Sequence, residues 1–372
     1  MLSRPIGTAR ACARLLPGAR LRPGARLVPG ARLLPGAVLL LALAGCAPKN
    51  GLATTSGQGD APAKRAVPQA LTGELAIDGP LAKRVSTSPA DLVVYYGGEQ
   101  KGSLETCGCP KRPRGSFARL DAYVDASRAA NPDIPSVLVN AGYWLQDAMG
   151  FDGKLREDVT IGNAWMVKGI RAVGWDALNV GSPDIAGLTT LPTDGGAPLP
   201  LVSANAVGPG INRWVIVDRG GVRVGITGIT SAGQTLTDVP GYTVNAPASA
   251  GAVLDELAAQ TDVIVLLAYQ ATESAVKLAA SHPSVDVVVD AALHREWQDP
   301  FYTPANAVWV ASHLQTMRLG ELRLGLDHGR VTGGLSRQID LDPDMPDDPA
   351  LLEMQKQARA ELDVAQQALF GP

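Results

Sequence analysis

The chain is poor in histidine, cysteine and aromatic residues, and acidic side chains are missing from its start. Four of its 372 residues are histidine, four are cysteine and 5% are aromatic, and the first acidic residue is Asp60. The histidines are His282, His294, His313 and His328. His282 stands before Pro283 and His328 before Gly329, both turn signals, so these two read as solvated loop residues. That leaves too few imidazoles for a metal centre that needs several. The apolar run Ala37 to Ala44 is far shorter than the ~20 residues needed to cross a bilayer, which excludes it as a spanning helix. A hydrophobic content of 46% nevertheless supplies a substantial core.

The apolar run closes on Leu43-Ala44-Gly45-Cys46, and a polar stretch containing Pro and Gly follows. Before it lie Arg4, Arg10, Arg14, Arg20, Arg22, Arg26 and Arg32 with no acid among them. The arrangement resembles a bacterial lipobox. The resemblance implies a signal peptide over 1–45, cleavage before Cys46, a lipid on Cys46 and anchoring to a membrane through it. The expected location is the bacterial cell envelope, facing the periplasm. Ala47 lacks the Asp of an inner-membrane retention signal, which favours the outer membrane. The repeat around Pro17, Pro23, Pro29 and Pro35 belongs to the leader and is set aside. Residues 46–89 read as the lipidated cysteine and a flexible linker. Without the seven arginines the formal charge moves from −3 to near −10, which argues against nucleic acid as a partner. Cys107 and Cys109 are then the only thiols of the mature domain, expected in an oxidising compartment to be bonded to each other or to a metal.

From Asp91 the pattern becomes that of an α/β domain, placed at 90–345. Leu92 to Tyr96 is a buried strand, 97–115 a Gly-rich loop, 116–130 a helix and Pro135 to Val139 a strand. A helix over 159–173, with Ile161, Trp165, Val167 and Ile170 apolar, leads to a strand at Asp176 to Val180. This β-α-β-α-β order predicts a sheet covered by helices. Further on, Gly220-Gly221 joins two strands in a hairpin. Helix 248–259, strand 263–267, helix 271–281 and strands 285–289 and 308–311 follow. A hairpin over 318–326 and 331–339 closes the domain. Residues 346–372 carry a C-terminal amphipathic helix over Pro349 to Phe370, capped by Asp348, with Leu351, Leu352, Met354, Leu362 and Leu369 on one face.

Several segments in this order resemble the calcineurin-like metallophosphatase domain of secreted 5′-nucleotidases. They are Arg114-Gly115-Ser116-Phe117-Ala118-Arg119, Trp175 to Gly181, Val202-Ser203-Ala204-Asn205, Gly220 to Gly228 and Val285 to Val289. The resemblance implies a four-layer αββα sandwich of the metallophosphoesterase type. It also implies a two-metal mechanism, with Asp, His and Asn delivered from strand ends. Most ligand positions are replaced in this chain. The first strand end carries Glu99-Gln100-Lys101, and a lysine there repels a cation. Tyr143 stands for an Asp, Gly181-Ser182-Pro183-Asp184 for a Gly-Asn-His-Glu motif and Tyr269 for a later His. Of the final Gly-His-x-His only His294 remains. The metal candidates that survive are Glu99, Asp184 and His294, with His313 near a strand end.

The loop Cys107-Gly108-Cys109-Pro110 resembles a Cys-Gly-Cys-Pro subgroup of the family. Those relatives are exported bacterial proteins, some encoded near or fused to multihaem cytochromes, which implies envelope or cytochrome-type redox partners. Gly108 permits the bend that an i,i+2 disulfide needs. A structural clip, a redox couple and a soft-metal site all remain open, and the basic run Lys111, Arg112, Arg114 reads as a solvated face. The favoured reading is a membrane-anchored lipoprotein whose degenerate 5′-nucleotidase-like domain binds a partner without catalysis and holds no cofactor. One alternative is a metal-dependent phosphoesterase or 5′-nucleotidase with a rebuilt Mn or Zn site. The other is a thiol redox or metal-handling protein that uses the Cys-Gly-Cys loop.

Overall fold

The computed structural model describes residues 71–191, 196–231, 239–291 and 298–371. The expected signal peptide, Cys46 and the linker up to residue 70 lie outside them. Two sheets pack face to face. The first holds β1 (Leu71–Ile77), β2 (Leu92–Gly97), β3 (Ser136–Asn140), β4 (Ala177–Asn179), β5 (Leu201–Val202), β14 (Arg318–Asp327) and β15 (Arg330–Asp340), in the order β1-β15-β14-β2-β3-β4-β5. The second holds β7 (Val215–Arg219), β8 (Val222–Thr230), β10 (Val263–Tyr269), β11 (Val287–Asp290), β12 (Phe301–Tyr302) and β13 (Val308–Ala311), in the order β12-β13-β11-β10-β8-β7. β6 (Ala206–Val207) and β9 (Thr243–Val244) form a small separate ribbon.

The pattern of β2 explains its place. Leu92, Val94 and Tyr96 face the second sheet, while Val93 and Tyr95 face a layer of helices. A strand buried on both sides has no polar face, so it reads as one apolar run. β10 is buried along its whole length for the same reason. On the outer side of the first sheet lie α2 (Phe117–Ala130) and α3 (Glu157–Val173), with α7 (Pro349–Phe370) against both. On the outer side of the second lie α5 (Gly251–Ala258) and α6 (Thr272–Ser281). The short helices α1 (Leu81–Arg84) and α4 (Asp184–Leu188) complete the set. The result is the expected αββα sandwich. Both tight hairpins use positive-φ pairs, Gly220-Gly221 and His328-Gly329, as two-residue connections require.

Two expectations need correction. The stretch 71–89 belongs to the folded body and not to a linker. β1 pairs in parallel with β15, and Arg84 is fully buried, with its guanidinium 2.6 Å from Asp342 and donating to the Ile77 carbonyl at 3.1 Å. β1 carries little apolar alternation because most of it is exposed, so the sequence gives no sign of it. The buried face of α7 is Leu351, Gln355, Ala358 and Ala365, whereas Leu369 is 42% exposed. Small residues seat the helix close to α3, where Trp165 donates to Glu361 at 2.7 Å. Asp348 does cap α7, accepting from the Leu351 amide at 2.8 Å.

Candidate functional site

In the first sheet β2, β3 and β4 are parallel, and in the second β8, β10, β11 and β13 are parallel. Open α/β sheets place their chemistry beyond the carboxyl ends of such strands. Here that rim is built by the loops after β2, β3, β4 and β10. The first two are laced together by backbone: the Glu99 amide donates to Gly142, Lys101 to Tyr143 and Gly102 to Trp144, at 2.9 to 3.0 Å. Gly142 has φ +118, and a Cβ there would stand 3.1 Å from Tyr269. Asn140 holds the base of this pair, accepting from the Gly142 amide at 2.8 Å and donating to Gln100 at 2.6 Å.

Glu99 and Asp184 come to the same rim. Glu99 is buried, and the Lys101 ammonium lies 3.6 Å from its carboxylate and 5.1 Å from the centre of the Tyr143 ring. Tyr143 in turn meets Tyr269 edge to face, with ring centres 5.8 Å apart, and donates to Asp147 at 3.0 Å. Burial pushes both phenols up, and the nearby carboxylates add to the effect. Asp184 is fully buried. One of its oxygens accepts from the Trp144 and Leu145 amides and the other from Tyr143 and Gly181, all at 2.8 to 2.9 Å. Burial pushes its carboxyl up to about 7, against the pull of the four amides. The loop after β4 is also tied to the second sheet, where the Ser182 amide donates to Thr230 Oγ1 at 2.8 Å and Asn205 braces Thr230.

This donor set does not fit a divalent metal centre. The oxygens of Asp184 are spent on four amides, an ammonium occupies the side of Glu99, and two neutral phenols stand at other expected ligand positions. Among the described residues no group of three or more His, Cys, Asp or Glu is placed to hold a metal ion. His294 lies outside the described residues. His313 follows β13 at the same rim, half-buried, with Nδ1 3.3 Å from the Leu314 carbonyl. His328 is 96% exposed at its hairpin tip. His282 is at the opposite end of the second sheet, with Nδ1 3.1 Å from the Leu278 carbonyl.

Sequence reasoning missed Asp147, the partner of Tyr143, and also Ser182 Oγ and Gln270 Nε2. The last two are buried polar atoms without a hydrogen-bond partner among the described residues, at the ends of β4 and β10. A Gln directly after an all-apolar strand was the available signal. The basic run is also not a plain solvated face. Arg112 pairs with Asp342 and Asp78, and Arg114 lies 3.2 Å from Asp340, which clamps the Cys-Gly-Cys loop to the end of β15. Cys107 and Cys109 are both free thiols, so the expected disulfide is not formed.

No protein-family model matches the chain, and no curated protein matches it. Solved structures resemble it. A 5′-nucleotidase precursor from Thermus thermophilus is 20% identical, with 73% of this chain and 59% of that one covered, at a TM-score of 0.59. A sulfate thiohydrolase from Thermus thermophilus is 13% identical, covering 74% and 61%, at a TM-score of 0.60. An NAD nucleotidase from Haemophilus influenzae is 13% identical, covering 73% and 60%, at a TM-score of 0.60. This chain therefore spans about three fifths of the length of each (59%, 61% and 60%). At these identities the likeness establishes the architecture: the chain has the αββα fold of 5′-nucleotidase-type metallophosphoesterases.

Proposed function

We propose that the protein is a lipid-anchored envelope protein that uses a metallophosphoesterase fold to bind a ligand or partner, without two-metal catalysis. The observation that carries this reading is the fate of Asp184, whose two carboxylate oxygens each accept two backbone amides at the rim. A carboxylate saturated in this way is a structural bracket. The Lys101 ammonium stands beside the other candidate carboxylate, Glu99, and opposes a second cation there. Ser182 Oγ and Gln270 Nε2 supply buried polar groups without a hydrogen-bond partner among the described residues, at the same strand ends, which suits a polar ligand. Cys46 carries the lipid in this reading and tethers the domain, facing the periplasm, to the outer membrane. The described residues contain no helix long and apolar enough to cross a membrane.

The test is metal content by mass spectrometry on the purified full chain after incubation with Mn and Zn, together with a screen of nucleotides and phosphoesters. Background metal and no turnover are expected. About two metals per chain with phosphoesterase activity would overturn the reading and install the metal-dependent hydrolase in its place.

A further inference from the structure

A second feature stands on the same rim and is independent of the reading above. The loop between Leu104 and Phe117 is fixed at its base and open at its tip. At the base the Cys107 amide donates to the Arg114 carbonyl at 2.7 Å, Thr106 bridges Gly115, and the Gly115 amide donates to Leu341 at 2.6 Å. Glycine suits position 115, which has φ +93 and where a Cβ would press on the Gln315 carbonyl at 3.1 Å. Arg112 and Arg114 bolt the loop to Asp342 and Asp340. At the tip Cys109 is exposed, and nothing lies within 4 Å of a Cβ built on Gly108.

The two thiols have unequal roles. Cys107 is half-buried, and its sulfur accepts from the Arg114 amide at 3.3 Å. Burial pushes its thiol up, but hydrogen bonds from the Cys109 thiol and the Arg114 amide, with the Arg114 charge, outweigh that and hold it below the ordinary range. The hydrogen bond between the two sulfurs acts the other way on Cys109 and pushes its thiol up. A structural clip is redundant, because hydrogen bonds and ion pairs already hold the loop with both thiols reduced. A tetrahedral metal site needs more donors than two sulfurs.

We propose that Cys107 and Cys109 are a reactive dithiol that exchanges with an accessible disulfide on a partner molecule, Cys107 attacking and Cys109 resolving. The Cys107 thiolate attacks one sulfur of the partner disulfide. That S–S bond breaks, a mixed disulfide forms on Cys107, and the first partner thiolate leaves and takes up the proton lost by Cys107. Cys109 then gives up its proton and attacks the Cys107 sulfur. The mixed disulfide breaks, the Cys107–Cys109 bond forms, and the second partner thiolate leaves and is protonated. The dithiol is oxidised by two electrons and the partner disulfide is reduced by two. Gly108, with open space around it, gives the backbone the freedom to close so small a ring.

The experiment uses the reduced full chain in detergent. One arm adds glutathione disulfide and the other a folded protein with one accessible disulfide. Peptide-resolved mass spectrometry separates Cys107 and Cys109 from Cys12 and Cys46. In the wild type either reagent is expected to leave a Cys107–Cys109 disulfide and release both partner halves as thiols. Reaction with glutathione disulfide alone identifies small-molecule disulfides as the partner, and reaction with the protein alone identifies protein disulfides. Cys109→Ser should stop at the mixed disulfide on Cys107, and Cys107→Ser should react about tenfold more slowly. Cys109 is exposed, so its serine variant keeps the fold and carries the test should Cys107→Ser misfold. Retention of both thiols in both arms, or equal adduct formation on Cys107 and Cys109, would overturn the proposal.

Discussion

Replacing Gly228 with alanine is expected to break the seam between the two sheets beneath the rim. Gly228 is in β8, facing Asn179 of β4 across the sandwich. A Cβ at 228 would stand 1.9 Å from Asn179 Oδ1, 2.4 Å from its Cγ and 2.9 Å from its Cβ. Asn179 cannot simply move aside. Its amide nitrogen donates to the Ala141 carbonyl at 2.9 Å in the first sheet's rim loop and to the Ile229 carbonyl at 3.0 Å in the second sheet. The added methyl drives this side chain out. The loss is two hydrogen bonds at about 1 kcal/mol each plus an overpacking cost of about 1–3 kcal/mol, or about 3–5 kcal/mol in all. For a domain of this size that lowers Tm by roughly 5–8 °C. Asn179→Ala alone should cost about 3 kcal/mol, from the same two bonds and the cavity left behind. The double variant lets the methyl enter the space that Asn179 vacates, so it should be less destabilised than the sum by about 2 kcal/mol. Thermal and urea melts followed by circular dichroism give all corners of the cycle. If Gly228→Ala costs less than about 1 kcal/mol, or the two changes add within about 0.5 kcal/mol, the clamp does not work as described.

Three further outcomes follow from the geometry. Asp184→Ala orphans four buried amides and should cost about 3 kcal/mol, water refilling part of the site, read as a lower Tm in thermal melts. Burial, with Asp125 and Asp348 nearby, pushes the Asp121 carboxyl from 3.8 up to about 6 in the folded state. Because the folded value is raised, its contribution is complete below pH about 4 and is lost as pH rises through about 6, so wild type should weaken relative to Asp121→Asn over that interval. The group is half-exposed and screened, which limits the gap to about 1 kcal/mol at pH about 7.5, measured by urea melts at both ends. Cys46→Ala should move the protein from the membrane fraction to the soluble fraction and abolish labelling by radioactive palmitate. Labelling that persists in the variant would remove Cys46 as the anchor.

Much of the architecture was legible because its signals are local. β2 and β10 announce themselves as apolar runs, and Gly220-Gly221 and His328-Gly329 mark their hairpins. The helix cap Asp348 stands where a side-chain acceptor is needed, and it makes the bond. β1 was illegible because an exposed strand owes its place to pairing with β15, some 260 residues away, and to the Glu74–Arg337 ion pair at 2.9 Å. Glu321, Arg323 and Arg337 form a buried ionic layer with Tyr123 under α2, although in the sequence they look like the polar side of a hairpin.

The sequence by itself determined the layering, since the alternation of apolar residues on β2 assigns each side chain to one of two cores. It also determined which side chains arrive at the strand ends, including the lysine and the two tyrosines. What each of them does there was decided only by the tertiary structure. Asp184 has the chemistry of a metal ligand in the sequence and becomes an amide bracket because four backbone donors from two loops converge on it. Arg112 and Arg114 look solvated and become bolts because the end of β15 brings Asp340 and Asp342 beneath them. Residue type fixes what a group is able to bind, but the long-range folding of the chain decides which partner reaches it first.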